Sequence, residues 1–156
     1  LPALSLLTFQ SAKTLRLIDF GNLELRNAPS KIEFERPLVK LQILGRKEKV
    51  INMSVVDSRA ISTNWYLYAY IDEPLTTVNK HTLPDSLIFI DNDSSIKTLG
   101  TTPVLIYSGA PNDGNTKTTD ISWKVDTGIL FKIIEPLYNG EKYTTLINWI
   151  LTSEVL

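Results

Sequence analysis

The run Trp65-Tyr-Leu-Tyr-Ala-Tyr-Ile71 constrains this chain more than any other stretch. It is the most β-prone segment of the sequence. On a strand, successive side chains alternate faces, so Trp65, Leu67, Ala69 and Ile71 share one face and Tyr66, Tyr68 and Tyr70 the other. The last strand-like run, Tyr143-Thr-Thr-Leu-Ile-Asn-Trp-Ile-Leu-Thr152, repeats the same Trp-x-Leu spacing at Trp149 and Leu151. Two such triplets predict two strands that aim a bulky apolar pair at a shared interior. The middle residue of each triplet then points the opposite way.

The rest of the chain follows the same two-residue rhythm. Residues 4–25 read as two short strands, the second around Leu15 and Leu17 and ending at Phe20-Gly21. From Lys31 the pattern places Ile32, Phe34, Leu38, Leu41 and Ile43 in one series, broken at Pro37, which cannot donate to a ladder and so marks an edge. Gly45-Arg-Lys-Glu-Lys49 reads as a charged turn. Ile51, Met53 and Val55 form one face of a strand ending at Asp57, and Leu87-Ile-Phe-Ile90 reads as a short buried strand. Pro103–Tyr107 is another strand, and Asp113-Gly114 is a dipeptide favoured in tight hairpins. Ile121, Trp123 and Val125 are in phase, and Gly128 precedes the apolar run Ile129–Ile134. Only residues 74–82 leave room for a helical turn.

No window of eleven or more residues carries a convincing apolar period of 3.6, so the elements are strands. Short strands at regular spacing with turn signals between them predict an all-β fold with little helix, an antiparallel β-sandwich or barrel-like single domain spanning residues 1–156. A chain of 156 residues, 43% apolar, has the volume for a real core. With a net charge of -1, no general electrostatic attraction to nucleic acid is expected. No run approaches the ~20 apolar residues of a membrane span. The chain does not begin with Met, which suggests a fragment or a processed form of a longer exported protein.

Catalytic chemistry finds little footing. There is no cysteine and one histidine, His81, in a Thr/Asn/Pro connector that reads as surface loop. No Gly-x-Ser-x-Gly elbow or Walker loop accompanies it, and no metal ligand stands at a suitable spacing. Asp91-Asn-Asp93-Ser-Ser95 offers oxygens at alternate positions. An EF-hand needs Gly at the sixth position and a bidentate Glu at the twelfth, where this chain has Ile96 and Thr102. Expected, then, are no enzyme activity, no metal and no cofactor. For Trp65, Leu67, Trp149 and Leu151 a core role outweighs a binding one, since an in-phase Trp and Leu on a strand are ordinary interior. The candidate binding residues are their neighbours: Tyr66, Tyr68, Tyr70 and Asn148 as outward-facing positions, with Asp57 and Arg59 in the loop that leads in.

These residues together resemble the WxL domain, a cell-wall-binding module of surface proteins from low-GC Gram-positive bacteria. Leu15-Arg-Leu-Ile-Asp-Phe-Gly21 resembles the family's opening strand. Val55-Val-Asp-Ser-Arg59 followed by Asn64-Trp-Tyr-Leu67 resembles its first motif, an Asp-x-Arg segment running into Trp-x-Leu, and Leu83–Phe89 matches the segment after it. Gly128-Ile-Leu through Tyr143–Leu151 resembles the closing signature. Gly140 lies one position off the commonest register, and Thr152–Leu156 stands where the family carries small residues and Pro. The resemblance implies a secreted β-rich domain at the bacterial surface, associated with the cell wall through non-covalent binding to peptidoglycan. It also implies company: a WxL-partner surface protein, or a host matrix protein toward which such a domain acts as an adhesin.

Overall fold

The computed structural model describes residues 6–10, 15–17, 22–35, 42–60, 63–133, 138 and 140–156. Its elements are strands throughout, with no helix among the described residues and hence none long and apolar enough to cross a membrane. In chain order they are β1 (Leu6–Gln10), β2 (Leu15–Leu17), β3 (Leu23–Arg26), β4 (Lys31–Glu35), β5 (Ile43–Leu44) and β6 (Ile51–Asp57). There follow β7 (Trp65–Ile71), β8 (Leu75–Thr76), β9 (Thr82–Leu83), β10 (Leu87–Ile90) and β11 (Ile96–Thr98). The series closes with β12 (Val104–Gly109), β13 (Lys117–Trp123), β14 (Gly128–Lys132) and β15 (Ile147–Thr152).

Three sheets wrap one core in a β-sandwich-like domain. The first has the order β12-β7-β15-β2, the second β11-β10-β14-β5 and the third β13-β6-β3. Two ribbons, β1-β4 and β8-β9, complete the fold. A Phe34–Arg46 bridge and a bond from Lys47 N–H to Glu33 O (2.8 Å) attach the β4 ribbon beside the second sheet. Pairing is antiparallel except between β15 and β2, where Trp149, Ile150 and Leu151 run parallel to Leu15, Arg16 and Leu17.

The two Trp-x-Leu strands are direct neighbours. β15 pairs with β7 so that Trp149 lies opposite Ala69 and Leu151 opposite Leu67. Small Ala69 leaves space for the indole across the ladder. Every residue of β15 is buried, on both faces. This is the pattern of a central strand covered on two sides rather than of a half-solvated one. The core aromatics converge from all three sheets: Trp123 of β13 sits 6.0 Å from Phe89 of β10 and 6.3 Å from Trp149, and Phe34 of β4 sits 6.0 Å from Phe131 of β14.

A bulge in β12 decides how Trp65 is housed. Val104 and Leu105 pair with Ala69 and Tyr68, but the register then slips, and Tyr107 rather than Ile106 faces Leu67. One inserted residue exchanges the faces of everything after it. Tyr107 and Gly109 are thereby brought to the Trp65 face. Tyr107 stacks on the indole (5.6 Å, 24°), and Gly109 lies beneath the same ring, where any Cβ would overlap it.

Several sequence expectations are corrected. Residues 4–25 hold strands β1, β2 and the start of β3, three where two were expected, because Leu23 and Leu25 open a further strand that pairs with β6. Ile43 is exposed and Leu44 is the buried member of β5, so the phase set by Phe34 does not carry through; Pro37 itself lies outside the described residues. Val125 is exposed in the turn that follows β13 and so leaves the series of Ile121 and Trp123. Asp113-Gly114 does not close a tight hairpin, since β12 and β13 belong to different sheets and the link crosses between them. Residues 74–82 form no helical turn but the β8-β9 hairpin, whose tip is closed by a bond from Lys80 N–H to Thr77 O (3.0 Å).

The Gly109 seat makes a specific prediction. Gly109→Ala should lower stability by about 1–3 kcal/mol, the usual range for an overpacked core. Gly100→Ala, where an added Cβ meets nothing within 4 Å, should change it by about 0.5 kcal/mol or less. Urea unfolding midpoints measure both, and equal midpoints for wild type and Gly109→Ala would contradict this packing.

Candidate functional site

The candidate binding residues of the sequence do not assemble into one surface. Asp57 ends β6 with its carboxylate buried. Arg59, two residues on, closes a fork upon it: Nε donates to Oδ1 and Nη2 to Oδ2, each at 2.9 Å, while the Arg59 N–H donates to Oδ1 at 3.1 Å. Arg59 Nη2 also donates to Thr63 O (3.0 Å) just before Trp65. Asn112, which the sequence reading did not single out, is buried and donates to the backbone carbonyls of Asp57 and Arg59, each at 3.0 Å. The hydrogen bonds and charge of Arg59 hold the Asp57 carboxyl below the usual carboxylate range. Asp57 and Arg59 thus form a clamp that sets the path of the chain into β7, and their polar atoms are largely taken up by one another.

The tyrosine ladder is covered in its middle. Tyr66 and Tyr70 are half-buried, but Tyr68 is buried, its hydroxyl accepting the Leu156 N–H at 3.1 Å. Tyr66 lies 6.4 Å from Tyr68, ring centroid to centroid. Asn148 shares the outward phase of Tyr70, its ladder partner, yet it is buried rather than outward-facing, with Nδ2 donating to Asp72 Oδ2 at 3.3 Å. Burial on both faces of β15 overrides the alternation that suggested exposure. Trp65, Leu67, Trp149 and Leu151 are all buried at 1% exposure or less. Trp149 Nε1 has no hydrogen-bond partner among the described residues.

His81 is no free loop residue either. Its ring lies parallel to that of Tyr138 at 3.5 Å, and Nδ1 bonds Glu141 Oε2, while Asn79 donates to the other oxygen of that carboxylate. The bonds from His81 and Asn79 pull the Glu141 pKa down. This cluster fastens the β8-β9 hairpin to the segment entering β15, beside the Thr76–Thr144 bridge.

A wider cleft lies elsewhere. A cleft of about 590 Å³ runs along the β13 edge, facing the end of β10, the 91–94 turn and Tyr107 of β12. Asp120 to Trp123 of β13 and the Lys124 that follows form one wall of the cleft. Its floor is Phe89, Ile121 and Trp123, and Asp91, Asp120 and Asp126 stand around it against the single cation Lys124. Its volume falls within the range of small-ligand sites, ~300–1,000 Å³.

Arg46 shapes this cleft from below. The sequence placed it in a charged turn with Lys47, Glu48 and Lys49, but only those three are exposed; Arg46 is buried at 1% exposure. Its guanidinium donates to Lys124 O and Thr127 O at 2.6 Å each, to Ile129 O at 3.1 Å, and to Glu48 O and Lys49 O at 3.2 Å each. Its Cζ lies 5.8 Å from the Trp123 ring centroid. Five donors in a rigid fork suit this cage, and lysine would not span it. Gly128 completes the packing, since a Cβ there would enter the Trp123 ring and its φ of 86° is one that glycine tolerates. No spacing rule distinguishes Arg46 from its charged neighbours; only its three-dimensional position does.

Comparison with protein-family models and with curated protein sequences finds no match to this chain.

The Asp57–Arg59 clamp carries a pH signature. Because the folded-state pKa of Asp57 is depressed, its stabilisation is present above the unfolded value of about 3.9 and is lost as pH falls through the lower folded-state value. The stability gap between wild type and Asp57→Asn should therefore be full at neutral pH and shrink below about pH 4. Denaturant titrations at a series of pH values measure it, and a gap that stays constant down to the acid limit would remove the clamp's role.

Proposed function

We propose that this chain is a surface-protein module of the WxL type, extracellular and cell-wall associated, that attaches non-covalently to peptidoglycan. One observation carries the reading. Four of the sequence elements behind the resemblance, far apart in the chain, meet as a single physical unit, while Leu83–Phe89 and Gly128 lie in other sheets. The two Trp-x-Leu strands are hydrogen-bonded neighbours, the strand at Leu15–Leu17 flanks the second of them, and Asp57-x-Arg59 clamps the entry to the first. Motifs that only marked a chance spacing would not be expected to converge in this way.

In this reading Trp65, Leu67, Trp149 and Leu151 build the domain and do not touch the wall, since their side chains are enclosed. Contact with the polymer falls to surface features that the motif strands hold in place. The competing reading is an adhesion or assembly module for a partner surface protein or a host matrix protein, with wall contact indirect. It would have gained from a flat, open tyrosine face, and the buried Tyr68 interrupts that face.

Incubation of the purified protein with washed Gram-positive sacculi tests the proposal. The protein should sediment with them well above a bovine-albumin control, and recovery equal to that control would reject wall attachment.

A further inference from the structure

We infer that the cleft along β13 is a strand-addition site that takes an extended, amine-bearing peptide, and that the peptide portion of the wall polymer is its occupant. The inference rests on the wall-attachment reading above and adds to it the place of contact and the part of the polymer contacted.

The geometry begins with the position of β13. In the order β13-β6-β3 it is an edge, hydrogen-bonded on one side to β6 over all seven of its residues. An antiparallel strand paired on one side presents alternate N–H and C=O groups on the other. Among the described residues nothing pairs with that outer side, and the cleft lies directly along it, walled by Asp120, Ile121, Ser122, Trp123 and Lys124 in succession. An extended peptide laid there would gain main-chain hydrogen bonds in register.

The rim selects the peptide's charge. The carboxylates of Asp120 and Asp126 are exposed and make no bond to any described residue, and with Asp91 they outnumber Lys124. A primary ammonium on the peptide's side chain meets that excess of carboxylate, whereas an acidic segment is repelled by it. The aromatic content of the cleft argues against a sugar as occupant. Phe89 and Trp123 are at most 3% exposed, and Tyr107 already gives one side of its ring to Trp65. A saccharide ring therefore finds at most the second face of Tyr107, which is half-buried, on which to stack.

The strand cannot easily slide out of place to admit or refuse a ligand. Arg46 pins Lys124 O, Thr127 O and Ile129 O, and the Lys124 N–H bonds Thr127 Oγ1 at 2.8 Å, so the end of the β13 edge is held in position.

The test uses the full chain and two soluble probes, a lysine-bearing stem tetrapeptide and an N-acetylglucosamine oligomer, followed by amide NMR after sedimentation with sacculi has been measured. The expected result is a saturable shift of amides in 119–124 with the tetrapeptide and none with the oligomer. Affinity should fall at least tenfold when the lysine side chain is acetylated, and likewise in Asp120→Asn/Asp126→Asn, whose fold is checked by its unchanged remaining amide spectrum. Wild-type protein that sediments with sacculi but shows no shift with the tetrapeptide, or shifts with the oligomer instead, overturns the inference and leaves wall attachment standing. Wild-type protein that does not sediment overturns the wall reading itself.

Discussion

Burial of β15 on both faces is the constraint from which the rest of the architecture follows. Its six residues include Trp149, Asn148 and Thr152, and all six are enclosed. A strand so placed needs a hydrogen-bonded neighbour on each side, and it has β7 on one and β2 on the other. It also needs small or complementary groups wherever it carries bulk. Ala69 opposite Trp149 meets that need across the ladder, and the bulge in β12 meets it one strand further on by turning Gly109 under Trp65. These pairings join residues far apart in the chain, so the sheet forms only when distant segments have met. The repeated triplet is in this sense a statement about assembly: its two copies are specified together because they pack together.

A second constraint sits where the sheets separate. Trp123 links the third sheet to Phe89 of the second and Trp149 of the first, and Arg46 lies against it with its charge spread over five carbonyls. Burial of the guanidinium draws its pKa down from the ordinary value, yet arginine retains its proton well above neutral pH. A buried cation of this kind is costly unless every donor is satisfied. Satisfying it fixes the turn after β13, and with it the wall of the cleft. The core and the surface feature that faces solvent are thus joined through one side chain.

Much of this was legible in the sequence, and the failures have physical causes. Alternation identified β6 and β7, because each keeps a regular buried face, and short apolar runs identified β10 and β14, which are buried nearly throughout. It misplaced Asn148, because alternation predicts two faces but does not say how many are covered. It misplaced Val125 and Ile43, because a turn or a break resets the phase and apolar identity alone does not reveal the reset. Arg46 was hidden among charged neighbours, and Asn112 and Gly109 were hidden because their roles depend on residues fifty-five and forty-four positions away. Of the candidate binding residues, Asp57 and Arg59 were correctly grouped, but as a clamp on each other. The β13 edge carried no motif at all; an edge is a property of topology, which local patterning does not encode.

In the proposed reading the Trp-x-Leu motif is interior and ligand contact lies elsewhere. Acrylamide quenching of a variant that keeps Trp149 and replaces Trp65 and Trp123 with Phe, verified as folded, addresses it directly. The predicted result is weak quenching, typical of an enclosed indole, that does not change when sacculi are added. Quenching near that of free tryptophan, or quenching that sacculi relieve, would place the motif at the binding surface and contradict the account.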